Sequence, residues 1–184
     1  MSSPLMNIAA AKGAVAAPQV AGAETGQYLT FTLGSELFAV PIAPIREIIE
    51  FRELTAIPMT PAFLCGVLNL RGAVVPVIDL SARFGRERIS VQRRTCIVIV
   101  EVELEDGLHP LGIVVDAVNE VLEANQEDIE SRPSFGSGLR ADFVAGILNL
   151  AGRFVVMLDL ARVLSAGELE QLIGAAHGRN ASSN

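Results

Sequence analysis

FLCGVLNLRGAVVPVIDLSAR, residues 63–83, decides how this chain folds. Its apolar residues form two runs of strand length, and the segment Asn69-Leu70-Arg71-Gly72 between them is typical of a tight corner. The stretch therefore predicts a β-hairpin. Arg71 lies on the corner, where a side chain points to water, so the needs of a core do not explain it.

The same unit occurs twice. FVAGILNLAGRFVVMLDLARV begins at residue 143 rather than 63, so each of its residues lies 80 positions after its counterpart. A second correspondence, at an offset of 73, relates residues 111–123 to residues 38–50. The order of elements therefore repeats, and a duplication of this length predicts two small β lobes related by an approximate twofold axis.

The two copies serve as controls for each other. Residues common to both are explained by the turns and helix caps that each lobe needs: Asn69 and Asn149, Gly72 and Gly152, Asp79 and Asp159. Arg71 differs, because its counterpart is Ala151, and Arg46 differs from its counterpart Asn119. The pattern alone leaves two interpretations of Arg71 open: it binds a partner, or it is an idle surface arginine.

Composition argues against several classes of function. The chain has 184 residues, 51% of them hydrophobic, and its formal net charge of −7 argues against a nucleic-acid-binding face. It has no nucleophile elbow, no phosphate-binding loop ending in Gly-Lys and no Cys/His metal spacing. No apolar stretch reaches the roughly 18 residues of a membrane span. We therefore expect no enzymatic activity, no cofactor or metal, no nucleic-acid partner and no direct membrane insertion, with the cytoplasm as the location.

The chain divides by composition. Residues 1–26 are rich in Ala, Ser and Gly, as is typical of a flexible leader, and residues 27–174 carry the duplicated β pattern. An Arg-rich connector at residues 83–94 suggests the boundary between the two lobes, and we expect it to be solvated.

The C-terminal segment predicts one helix. Ser165-Ala166-Gly167-Glu168 has the form of a capping box, and Leu169, Leu172 and Ile173 follow at helical spacing. Gly174 and Gly178 can end the helix, which leaves residues 175–184 as a frayed tail.

Several of these segments together resemble the CheW family of bacterial chemotaxis coupling proteins. The hairpin with Asn-Leu-Arg-Gly and Pro-Val-Ile-Asp-Leu is the most specific part, and the resemblance covers Gln27 to Leu172. The supporting segments are Phe31-Thr32-Leu33-Gly34, Arg46-Glu47-Ile48, Pro61-Ala62-Phe63 and Gly112-Ile113-Val114-Val115-Asp116.

The resemblance implies a fold and a set of partners. The fold would be two pseudo-symmetric five-stranded β-barrel lobes with short helical turns and a C-terminal helix. The function would be that of a non-enzymatic adaptor, which bridges the cytoplasmic tips of methyl-accepting chemoreceptors to the regulatory domain of the histidine kinase CheA at membrane-associated arrays. Carried over by position, the receptor-binding residues would be Ile45, Glu47, Gly66 and Arg71, and the kinase-binding residues Val40 and Ile42.

A different class of function remains possible from the residues. The cleft between two β lobes could bind a small ligand, which would require an enclosed pocket with convergent polar groups. An enclosed cavity around Asp116 or Asp142 would favour this alternative, whereas a flat apolar groove with Arg71 at its rim would favour the adaptor.

Overall fold

The structure is a computed structural model and describes residues 25–131 and 141–182. Strands dominate, so the prediction of a mainly β chain is confirmed. In chain order the strands are β1 (Thr25–Leu33), β2 (Glu36–Pro41), β3 (Ile45–Glu50), β4 (Leu64–Leu70), β5 (Ala73–Asp79), β6 (Cys96–Leu104), β7 (Gly107–Val115), β8 (Ala117–Asn125), β9 (Ile129–Glu130), β10 (Val144–Leu150) and β11 (Arg153–Leu158). The α-helices are α1 (Leu80–Arg83), α2 (Leu160–Val163) and α3 (Ala166–Ser182), and short 3-10 helices lie at Gln126–Asp128 and Ala141–Phe143.

The first strand begins slightly earlier than the sequence predicts. Thr25 and Gly26, which fall within the predicted leader, pair with Asn125 and Ala124 of β8. The rest of the predicted leader, residues 1–24, lies outside the described residues.

The strands form two sheets that share one strand order. Sheet A has the order β8-β1-β2-β11-β10-β9, and sheet B has the order β3-β6-β7-β5-β4. Replacing each strand of sheet B by its duplicate (β1 for β6, β2 for β7, β8 for β3, β10 for β4, β11 for β5) reproduces sheet A, to which β9 is added at one edge. The predicted pair of pseudo-symmetric lobes is therefore confirmed at the level of topology.

Each sheet takes strands from both copies of the duplicated unit. The chain leaves sheet A after β2, which ends at Pro41, and it enters sheet B at Ile45. It returns to sheet A at Asp116, between β7 and β8. The connector at residues 83–94 joins β5 to β6, which both belong to sheet B, so the chain does not pass between lobes where the sequence placed the boundary.

The lobes are open sheets. The resemblance implied two five-stranded barrels, but the strand order of each sheet runs from one edge strand to the other without closing, and sheet A has six strands. The description as two β lobes is therefore right, and the description as closed barrels is corrected.

The largest apolar cluster joins the two sheets. Phe31 and Phe38 of sheet A stack with their ring centroids 6.0 Å apart, and Phe84, which follows α1, lies 5.7 Å from Phe38. Phe143, just before β10, continues the row at 5.7 Å from Phe84. Residues of both sheets belong to this one buried cluster, so each lobe is stabilised by packing on the other.

The predicted caps are confirmed. The Asp79 carboxylate accepts a hydrogen bond from the Ala82 amide, and the Asp159 carboxylate accepts one from the Ala161 amide, both at 3.1 Å. Asp79 also accepts from the Ile89 amide at 2.7 Å, so it holds the middle of the connector as well as the start of α1. These contacts give the two aspartates a structural role.

The C-terminal helix starts where the sequence predicts and ends later. The Glu168 amide donates to the Ser165 hydroxyl at 3.1 Å, and the Ser165 amide donates to the Glu168 carboxylate at 3.0 Å, which is the capping box. The helix then continues through Gly174 and Gly178 to Ser182, so the prediction that it ends at a glycine is wrong, while the fraying of the tail stays a prediction. Ala176 is fully buried, and this packing outweighs the cost of a helical glycine.

The connector is only partly solvated. Three of its arginines donate hydrogen bonds to other segments: Arg83, Arg86 and Arg88. Arg93 and Arg94 are exposed as predicted.

Candidate functional site

Arg71 occupies a strained position at the corner of the β4–β5 hairpin. Leu70 pairs with Ala73, so only Arg71 and Gly72 form the turn, and both have positive φ, 51° and 86°. This is the pattern of a type I′ turn, which suits glycine or asparagine better than arginine. The Asn69 side chain supports the turn by accepting from the Gly72 amide at 3.0 Å.

The guanidinium of Arg71 forms an ion pair with Glu47. Its Nη1 donates to Glu47 Oε2 at 2.6 Å, while 75% of the Arg71 side chain stays exposed. The Glu47 side chain is 25% exposed. One end of the guanidinium is thus engaged inside the chain, but an exposed pair of this kind contributes only about 0–1 kcal/mol. The pair can open for an external carboxylate at little cost.

The strand β3 brings Glu47 to this corner. A β-bulge between Ile45 and Glu47 in the pairing of β3 with β6 changes the direction of the side chains there. Arg46, at the bulge, forms a second ion pair with Glu101 of β6 at 3.1 Å. Comparison of the two copies in the sequence indicated Arg46 as a candidate. It could not identify Glu101 as the partner of Arg46, because the contact depends on the register of two strands that are far apart in the chain.

An open depression of about 210 Å³ lies beside the corner. It is lined by Arg46, Glu47, Leu70, Arg71, Ala73, Val75, Ile99 and Pro110. The depression therefore combines an apolar floor with two ion pairs at its edge, which is suited to a partner that presents both apolar and charged side chains.

Two of the residues assigned by resemblance to receptor binding are buried. Ile45 is 0% exposed and belongs to the core. Gly66 has φ of 149°, and a Cβ at this position would lie 2.5 Å from the carbonyl oxygen of Thr55. Thr55 and Val67 exchange two backbone hydrogen bonds at 2.8 and 2.9 Å, so Gly66 allows a loop to pass closely over β4. Ile45 and Gly66 therefore lie beneath the surface of the site.

The two residues assigned to kinase binding are also buried. Val40 and Ile42 are 2% and 4% exposed and lie in the core shared by the sheets. The side chains of Val40, within β2, and Ile42, just after it, point into the core, so the structure corrects their interpretation as surface contacts. The exposed residues of the same bend are Pro41 and Ala43.

The second hairpin has the same backbone without the arginine. Ala151 has φ of 50°, close to the 51° of Arg71, and Asn149 holds the Gly152 amide at 3.0 Å as Asn69 holds that of Gly72. Phe154, on β11 beside this corner, is 63% exposed. The duplicated corners thus differ in chemistry and agree in geometry.

A larger groove of about 550 Å³ lies between the lobes. Most of its lining is apolar and comes from both sheets: Pro41, Pro44, Val102, Leu104, Ala145, Leu158, Leu160, Ala161, Leu164, Ala166 and Leu169, with Glu101, Glu103 and Asp159. Arg71 borders the smaller depression rather than this groove, and Asp116 and Asp142 line neither of the two. The structure does not favour the alternative of a small-ligand site around those carboxylates.

Two cysteines and one aspartate away from the corner have shifted pKa values. Burial, followed by the nearby charge of Asp79, raises the pKa of the Cys65 thiol to about 11. Burial is also the main cause of the raised pKa of Cys96, and a hydrogen bond from His109 lowers the pKa of Asp106. Over residues 25–131 and 141–182 there is no cluster of three His, Cys, Asp or Glu side chains suited to a metal ion. In the same part of the chain no helix has the length and apolarity to cross a membrane.

The chain is similar to known proteins over most of its length. Residues 27–168 match the CheW-like domain family. The chain is 35% identical over 158 residues to the chemotaxis protein CheW of Klebsiella aerogenes, covering 85% of this chain and 93% of that protein. It is 30% identical over 157 residues to the chemotaxis protein CheW of Treponema pallidum, covering 84% and 91%.

A solved structure agrees with these relatives. The crystal structure of the scaffolding protein TtCheW from Thermoanaerobacter tengcongensis superposes with a TM-score of 0.67 and 32% identity, covering 74% of this chain and 90% of that one. The family match, the relatives and the two-lobed β fold lead to one conclusion. This chain belongs to the CheW family.

Proposed function

We propose that this chain is a non-enzymatic adaptor of chemotaxis, which couples the cytoplasmic tips of methyl-accepting chemoreceptors to the regulatory domain of the histidine kinase CheA. Family membership supports the scaffold role. The observation that carries the receptor contact is the exposed guanidinium of Arg71, held beside an apolar depression at only one of two equivalent corners.

The proposed contact exchanges one ion pair for another. Arginine offers donors in a planar fork, and one nitrogen of Arg71 is used by Glu47. A carboxylate on a receptor helix would accept from the remaining donors or replace Glu47. Because charge-assisted hydrogen bonds strengthen as water leaves an interface, the bound pair would be worth more than the exposed one.

The buried residues support this surface. Ile45 anchors β3 in the core beneath Glu47, and Gly66 lets the Thr55 loop lie close to β4. For the kinase, the proposed contact uses the exposed part of the bend, Pro41 and Ala43, which Val40 and Ile42 support by packing.

Reconstitution tests the proposal. The purified chain is mixed with a receptor cytoplasmic fragment and with CheA, and complexes are separated by sedimentation. We expect the kinase to sediment with the receptor fragment only when the chain is added. If the chain binds neither protein, or if the kinase joins the receptor equally well without it, the proposal is wrong.

A further inference from the structure

Arg83 is the most enclosed of the connector arginines that bond to other segments. Its side chain is only 13% exposed, and its guanidinium carbon lies 4.8 Å from the ring centre of Phe63 and 5.2 Å from that of Phe143. Both distances fall in the range of cation–π contacts. Phe63 and Phe143 are counterparts in the two copies, so the guanidinium lies between duplicated positions.

The donors of Arg83 reach the other lobe. Nε donates to the carbonyl oxygen of Val163 at 2.7 Å, and Nη2 pairs with Glu168 Oε1 at 3.0 Å. Arg83 ends α1, which follows a strand of sheet B, whereas Val163 ends α2, which follows a strand of sheet A. The duplicate of Arg83 is Val163 itself, at the offset of 80 positions, so one copy supplies the cation and the other supplies the acceptor.

These contacts hold one wall of the groove between the lobes. Leu164 and Leu169 line that groove, and each directly follows a residue that Arg83 binds. Glu168 also closes the capping box of α3, so the ion pair with Arg83 connects the start of this helix to sheet B. Hydrogen bonds are directional, whereas burial of apolar surface is not, so such contacts can set an orientation as well as an attraction.

We propose that Arg83 is the positioning residue that keeps the two sheets in one orientation, so that a partner bound to one lobe acts on a partner bound to the other. The second half of this inference, the transmission between partners, rests on the adaptor function proposed above. The first half, the orientation of the sheets, is a property of the free protein.

The test compares Arg83→Met with Arg88→Met. Methionine retains apolar contact with the aromatic rings but removes the charge and the donors. Arg88 is a matched control from the same connector, because it donates to the carbonyl oxygens of Ala62 and Leu64, which lie on the sheet B side. Residual dipolar couplings of backbone amides report the orientation of each sheet in the free, folded proteins.

We expect one alignment tensor to fit both sheets in the wild-type protein and in Arg88→Met, and two different tensors to be needed in Arg83→Met. In the reconstituted complex, Arg83→Met should bind the receptor fragment and the kinase separately within about twofold of wild type, because it removes none of the residues proposed to touch either partner. Control of kinase activity by the receptor should fall at least about fivefold, the lower end of typical coupling between sites.

A single tensor for both sheets in folded Arg83→Met, or undiminished receptor control of the kinase, would overturn the inference. If Arg83→Met does not fold, Arg83→Lys decides with the same two measurements, since lysine keeps the charge but lacks the planar fork that reaches Val163 and Glu168 together. If the wild-type chain binds neither partner, the adaptor proposal fails, and the dipolar couplings still decide whether Arg83 orients the sheets.

Discussion

Replacing Arg71 by alanine separates binding from stability, because the chain already contains the product of this substitution at its second corner. Ala151 adopts φ of 50° where Arg71 adopts 51°, so alanine at position 71 keeps the backbone strain as it is. The change removes the ion pair with Glu47 and the external donors, and it leaves the core untouched.

The expected magnitudes follow from these contacts. The lost ion pair is exposed, so the free energy of unfolding should fall by no more than about 1 kcal/mol. For a chain of this size that corresponds to a decrease of the melting temperature of roughly 2–4 °C at most. If Arg71 is a hot spot for the receptor, its truncation should cost about 2 kcal/mol or more of binding free energy. That loss raises Kd about thirtyfold.

Isothermal titration calorimetry with a receptor cytoplasmic fragment measures Kd, and thermal unfolding measures stability. Ala151→Arg is the matched control, because it places the same side chain on the same turn in the other lobe. We expect this control to leave both Kd and the melting temperature close to wild type.

Two results would refute the reasoning. An Arg71→Ala protein that binds the receptor fragment with unchanged Kd would show that the guanidinium is an idle surface group. A loss of several kcal/mol of stability would show that the ion pair with Glu47 is part of the fold rather than a pair available for exchange.

Three further outcomes test other parts of the structure. Gly174→Ala should raise the free energy of unfolding by about 0.5–1 kcal/mol, because the residue lies inside α3 and a Cβ there meets nothing within 4 Å. A lower free energy of unfolding in urea would indicate that the helix ends there. Gly66→Ala should destabilise by roughly 1–3 kcal/mol, because its Cβ would meet the Thr55 carbonyl at 2.5 Å with φ of 149°; unchanged urea stability would contradict the close approach of that loop. Cys65 has a pKa of about 11 against an ordinary 9.0, so about 0.1% of it should be thiolate at pH 8. Its alkylation, followed by mass spectrometry, should be about a hundredfold slower than in the unfolded chain and should accelerate as pH rises. Equal alkylation rates in the folded and unfolded chains would disprove the burial.

Much of the local structure follows from short-range patterns. Asn69 and Gly72 predict the corner, Asp79 predicts the cap of α1, and Ser165 with Glu168 predicts the start of α3; the structure confirms each of these contacts. Each depends on a few neighbouring residues, so the sequence determines it without knowledge of the rest of the fold. The duplication also indicated Arg71 as different from its counterpart, although not what it contacts.

Tertiary structure decided what depends on residues distant in sequence. The duplicated units exchange strands between the sheets, because the chain changes sheet after β2 and again after β7, and a division near residues 83–94 could not anticipate this. The burial of Val40 and Ile42, the ion pairs of Arg71 and Arg83, and the helix beyond Gly174 are consequences of that packing. Local propensities amount to about 1 kcal/mol per residue, whereas burial of a large side chain contributes more free energy. Packing in the assembled core therefore determines where each element ends and which side chains face a partner.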